Sequence, residues 1–120
     1  MIVAGFGYST SASLESLRSA LDAACGDRTP HMLATLADKL PLLRELGASI
    51  GVEVRGVSEE DAARQETITH SPRSLGARGV ASVAEAVALA AAGPGAKLLG
   101  SRAISQDHLA TCALARGGST

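Results

Sequence analysis

The chain has 120 residues, 11 basic and 12 acidic side chains and a net charge of −1, which fits one domain and offers no electrostatic footprint for a polyanion. One Tyr, one Phe and no Trp leave almost nothing on which exposed bases could stack, so nucleic acid is not an expected partner. The apolar stretch 86–96 is broken by Gly93-Pro94-Gly95 and is too short for a bilayer, and the first residues lack a basic secretory n-region; the expected location is cytoplasmic, with no membrane partner.

In chain order, residues 2–6 read as a short buried strand ended by Gly5-Phe6-Gly7, and the polar loop Tyr8-Ser9-Thr10-Ser11 follows. Leu14, Leu17, Leu21 and Ala24 then recur on one helical face, with Ser11 as the expected N-cap. Gly26-Asp27-Arg28-Thr29-Pro30 breaks that helix, and residues 32–36 form the second strand candidate. Pro41 suits the first position of a second helix, whose Leu42, Leu43, Leu46 and Ile50 keep helical spacing before Gly51 stops it. Residues 52–57 alternate as a half-buried strand does, and Ser58-Glu59-Glu60-Asp61 reads as the capped start of a short helix.

Residues 66–81 are polar, Gly-rich and without period, which predicts a long surface loop, a kind of segment that often carries function. Ser82-Val83-Ala84-Glu85 is a full capping box for a third main helix, stopped by Gly93-Pro94-Gly95. Residues 97–100 and 109–115 are the last strand candidates, and the short connection between them predicts antiparallel pairing. The order β-α-β-α-β-(α)-α-β-β defines an α/β fold. It predicts a single three-layer α/β/α domain over residues 1–120, with a mixed β-sheet of about five strands.

Three places could carry chemistry. Gly5-Phe6-Gly7-Tyr8-Ser9-Thr10 either presents backbone N–H groups to an anion or is a tight turn whose glycines serve backbone geometry alone. Thr10 stands where a dinucleotide fingerprint needs its third glycine, so no such cofactor is expected. Thr35 and Lys39 lie at the carboxyl end of the second strand, where open α/β sheets hold ligands; Lys39 either pairs with an acidic ligand or is solvated beside Asp38. In the long loop, Ser71 and Arg73 combine donors with the restricting Pro72, and no acidic residue lies between His70 and Ala84.

Glu85 is explained by its place in the capping box; as a general base it would need a raised pKa and a partner within reach. The three histidines show no ligand spacing, so no metal site is expected. Cys25 and Cys112 stand far apart, outside any CxxC, and read as two small buried hydrophobes in a reducing compartment.

Four segments carry a family likeness in order. They are Val3-Ala-Gly-Phe-Gly7 before a Ser/Thr-rich helix start, and Ala34-Thr-Leu-Ala-Asp-Lys39 before a Leu-rich helix and Gly51-Val-Glu-Val54. The third is the Ser71-Pro-Arg-Ser74 loop with Gly79-Val-Ala-Ser-Val-Ala-Glu-Ala86, and the fourth is Leu98-Leu-Gly100 with Ala110-Thr-Cys-Ala-Leu-Ala-Arg116. Together they resemble the CobE/CbiG C-terminal family over essentially the whole chain. A chain of this length resembles the stand-alone branch of that family rather than the fused one.

The resemblance implies a protein of aerobic cobalamin (vitamin B12) biosynthesis whose partner is a corrin or precorrin intermediate rich in carboxylates, with other cobalamin-pathway enzymes as further partners. The expected contacts are Gly5, Gly7, Tyr8, Ser9 and Thr10 from the first segment, Thr35 and Lys39 from the second, and Ser71, Arg73 and Gly79 from the third. The family commonly carries Cys and basic residues after the second glycine, where this chain has Tyr8, Ser9 and Thr10. Two functions follow. One is a carrier that holds the intermediate. The other is a hydrolase-type enzyme acting on a precorrin lactone, as implied by the fused relatives, with Lys39 or Ser71 polarising the group and Glu85 moving a proton. The absence of a readable nucleophile–base arrangement favours the carrier.

Overall fold

β1 (Ile2–Tyr8) is the strand on which the architecture is built. A computed structural model of the chain describes residues 2–9, 11–63, 83–93, 95–100 and 102–117. The expected loop 66–81, with Ser71, Arg73 and Gly79, lies outside the described residues, as does Thr10.

β1 runs parallel to β2 (Met32–Leu36), which runs parallel to β3 (Glu53–Val57). On its other side β1 pairs antiparallel with β6 (Ala110–Arg116) along its full length, from Ile2 opposite Arg116 to Tyr8 opposite Ala110. Two short strands, β4 (Lys97–Leu98) and β5 (Ala103–Ile104), both pair antiparallel with β6. The sheet order is β3-β2-β1-β6-β4, with β5 also on β6. The expected antiparallel closing pair is present. A two-residue strand such as β5 is too short to carry a readable alternation.

Helices cover both faces. α1 (Leu14–Cys25) and α2 (Leu40–Ile50) pack on one side, where Ala4 and Phe6 of β1, Leu33 of β2 and Cys112 and Leu114 of β6 meet Leu17, Leu21, Leu43 and Leu46. α3 (Glu59–Ala63) and α4 (Val83–Ala92) cover the other, over Val3, Met32, Ala34 and Leu36. Alternation along β1 sends even-numbered residues to the first layer and odd-numbered ones to the second. Gly5 and Gly7 present no side chain to this layer, so α4, itself mostly alanine, lies very close to β1.

Several local expectations shift. β1 continues through Tyr8, so Gly5 and Gly7 are strand residues and the polar loop begins at Ser9. The N-cap of α1 is Ser13, not Ser11; its hydroxyl accepts the Ser16 N–H while Ser16 Oγ accepts the Ser13 N–H, a reciprocal box that Ser11 is too far upstream to form. In α2, Leu43 and Leu46 are buried but Ile50 is 38% exposed, because the last turn extends beyond the sheet-facing stripe. Ser58 does cap α3, accepting the Asp61 N–H at 3.1 Å. Gly51, at φ 71°, ends α2 in the left-handed region as expected of a C-cap glycine.

Candidate functional site

The carboxyl ends of β1 and β2 and the first residue of α4 enclose an open cleft of about 320 Å³, lined by Gly7, Tyr8, Ser9, Leu36, Lys39 and Val83. It sits where ligands of open α/β sheets bind, outside the carboxyl ends of parallel strands.

Lys39 closes a 3-10 turn (Ala37–Lys39) that links β2 directly to α2. Its ammonium lies over the ring of Tyr8, 5.8 Å from the ring centroid, within cation–π range. The Tyr8 hydroxyl donates to the main-chain carbonyl of the same Lys39. Burial pushes the Tyr8 phenol above its ordinary pKa; the Leu43 N–H and the Thr35 hydroxyl pull the other way, and the Asp38 carboxylate adds to the rise. The phenol therefore stays protonated, and a donor, well beyond neutral pH.

Ser9 is exposed at the rim. Its N–H donates to the Leu109 carbonyl at 3.0 Å, its carbonyl accepts the Ala12 N–H at 3.1 Å, and its hydroxyl accepts the Ser11 N–H at 3.2 Å. These bonds pin the loop between β1 and α1 to the turn that precedes β6.

The remaining expected contacts divide. Gly7 lines the cleft, and a Cβ there would stand 3.1 Å from the Val83 Cβ. Gly5 does not line it; it is buried beneath α4, where a Cβ would fall 2.2 Å from the Ala84 carbonyl oxygen. Thr35 is fully buried, and its hydroxyl donates to the Phe6 carbonyl at 3.0 Å, tying β2 to β1 behind Tyr8. Glu85 is fully buried on α4, with its carboxylate accepting the Arg102 N–H at 3.1 Å, so it holds the segment between β4 and β5 against the helix. The structure thus brings Tyr8, Ser9 and Lys39 together at the cleft and sets Gly5, Thr35 and Glu85 inside the packing around it.

A second polar cluster is absent from the sequence reading. Asp107 accepts hydrogen bonds from the Ser16 hydroxyl at 2.5 Å, the Ser105 hydroxyl at 2.5 Å and the Leu109 N–H at 3.0 Å. Gln106 N–H donates to Ser19 Oγ at 3.0 Å. Ser13, Ser16 and Ser19 recur every three residues at the start of α1, a visible signal, but the distant partners of Ser16 and Ser19 lie about ninety residues away and only the fold supplies them. The cluster fastens α1 to the turn whose Leu109 carbonyl holds Ser9, and so supports the cleft from behind.

Among the described residues no group of three or more His, Cys, Asp or Glu is placed to hold a metal ion, and no helix is long and apolar enough to cross a membrane. Cys25 and Cys112 are free and buried, and burial raises both thiols above the usual range, Cys112 well above it.

A mixed α/β/α domain with an open cleft at its parallel strand ends, to which Lys39 contributes a cation, is the class that fold and geometry define. Residues 2–115 match the family model described as Cobalamin synthesis G C-terminus, and the chain belongs to that family. It is similar to the crystal structure of CobE, a protein from the cobalamin (vitamin B12) biosynthetic pathway, with 32% identity and a TM-score of 0.82 over 97% of this chain and 89% of that one. The cobalamin biosynthesis protein chiG from Agrobacterium tumefaciens str. C58 is 29% identical, with a TM-score of 0.69 over 99% of this chain and 100% of that one. A cobalamin biosynthesis protein G homolog from Sulfolobus solfataricus shares the fold at 21% identity and a TM-score of 0.73, covering 97% of this chain and 36% of that one. Among curated proteins no sequence matches significantly.

Proposed function

We propose that this protein serves cobalamin biosynthesis by binding a carboxylate-bearing corrin or precorrin intermediate at the strand-end cleft and carrying it between enzymes of the pathway. The observation that carries the reading is the Lys39 ammonium, held over Tyr8 at a cleft that also offers the Ser9 hydroxyl. Family membership supplies the pathway. A cation beside a hydroxyl donor suits one acetate or propionate arm of such a ring, through a charge-assisted hydrogen bond. Ser71 and Gly79 belong to the proposed contact set through the family resemblance, and Arg73 and Thr10 through their own donor groups in the long loop and the glycine segment. Free buried thiols suit a reducing, cytoplasmic compartment.

Glu85, the acid–base candidate for a lactone-opening enzyme, is enclosed and accepts a main-chain N–H, which supports a structural role for it. The test is a panel of precorrins and hydrogenobyrinic acid mixed with the protein, desalted by gel filtration and read by visible spectrum and mass. A pigment that co-elutes unchanged supports a carrier, and Lys39→Ala should weaken its retention roughly ten- to a hundredfold. A pigment returned with altered mass would replace the carrier with an enzyme. No retained pigment and no altered mass would overturn the proposal.

A further inference from the structure

We propose that Tyr8 is a positioning residue, holding Lys39 at both its main-chain carbonyl and its ammonium so that the charge stands ready for a ligand carboxylate. The role in ligand capture rests on the reading of the cleft given above; the hold on Lys39 does not.

Lys39 needs such a partner. Its side chain is a flexible four-carbon stem with a point charge at its end, which by itself populates many rotamers. Neither the 3-10 turn that it closes nor α2 has a side-chain cap. The Tyr8 hydroxyl on the Lys39 carbonyl supplies an anchor at one end, and the ring beneath the ammonium restricts the other.

Tyr8 is itself fixed. It ends β1 opposite Ala110 in the sheet and packs against the core under α1 and α2. Thr35 stands beside its hydroxyl and is in turn bonded to the Phe6 carbonyl. Thr35 thus ties the two strands together behind the phenol, and the phenol in turn holds Lys39. Asp38 is the neighbouring carboxylate that would otherwise compete for the Lys39 charge, and the ring contact favours a position over Tyr8 instead.

The chain has only two lysines, Lys39 and Lys97, and one Tyr, which makes the contact directly observable. Reductive 13C-methylation keeps the lysine charge and gives one dimethyl signal for each lysine side chain, assigned with Lys97→Arg. The Lys39 signal should be displaced upfield by the ring current of Tyr8. Tyr8→Phe should keep that displacement and Tyr8→Leu should abolish it, with circular dichroism confirming that each variant is folded.

Hydrogenobyrinic acid is the ligand probe. Tyr8→Leu should weaken its binding about five- to tenfold in the wild-type background and by much less when Lys39 is already Met, the non-additivity expected of residues that act through one another. Coincident Lys39 and Lys97 signals in the wild type, or an equal loss from Tyr8→Leu in both backgrounds, would overturn the positioning role. Failure of the wild type to bind the corrin, with the ring-current displacement intact, would instead overturn the carboxylate-site reading and with it the capture role, leaving the Tyr8 hold on Lys39 established.

Discussion

The carbonyl oxygen of Ala84 lies 2.2 Å from the point where a Cβ on Gly5 would stand, and the Ala88 amide nitrogen lies 2.6 Å from it. α4 thus rests directly on the backbone of β1, and a methyl group at residue 5 meets main chain that cannot swing aside. Gly5→Ala should destabilise the protein by about 1–3 kcal/mol or more, read as a lower urea midpoint with an unchanged slope. Gly51→Ala, at a left-handed position with open space around it, should cost only about 1 kcal/mol. Equal midpoints for Gly5→Ala and wild type would show that α4 does not lie this close.

Acid stability should depend on Asp107. The Ser105 and Ser16 hydroxyls and the Leu109 N–H hold its carboxyl below the ordinary aspartate range in the folded chain. As pH falls, the unfolded chain takes up this proton first, so the stabilisation is complete above about pH 4 and is lost as pH drops through the lower folded value. The gap in Tm between wild type and Asp107→Ala should therefore be constant from neutral pH down to about 5 and narrow below 4. A gap that widens on acidification would contradict the bonding described.

Glu85 separates packing from catalysis. Glu85→Gln retains a carbonyl oxygen that can accept the Arg102 N–H, whereas Glu85→Ala leaves a cavity and removes that acceptor. The Ala variant should lose about 2–4 kcal/mol and the Gln variant less, with corrin affinity of the folded Gln variant unchanged. Lost turnover in a Gln variant of wild-type stability would point to proton transfer instead.

The two thiols offer a readout of global opening. Cys25 is 8% exposed and Cys112 not at all, and both have raised pKa values, so few thiolates are present and fewer are reachable. A disulfide reagent at pH 8 should react slowly with the folded chain and promptly with both thiols in denaturant. Prompt reaction of one thiol under native conditions would place it outside the core.

Much of this fold was legible because its signals are local. Leu17, Leu21, Leu43 and Leu46 recur at helical spacing and are buried as that spacing requires. Gly51 stops α2, and the residues of β2 form a short apolar run between turn signals. Where one loop holds several serines, residue type does not locate the cap: Ser11 reads as the N-cap of α1, and the box with Ser16 places it at Ser13. The glycines of β1 read as the end of a strand because nothing in the chain announces that α4, eighty residues later, needs their missing side chains.

The same division runs through the candidate site. Sequence alone determined that Lys39 follows a strand, that Tyr8 follows a glycine pair, and that the ordered motifs belong to one family; each of these is written in neighbouring residues. Tertiary structure alone decided that Tyr8 and Lys39 share one cleft while Thr35 and Glu85 face inward. It also decided that Asp107 meets Ser16 across ninety-one positions. Periodicity tells which face of an element is apolar, but which polar groups converge depends on how strands order themselves in the sheet, and that order is set by the packing of all layers at once.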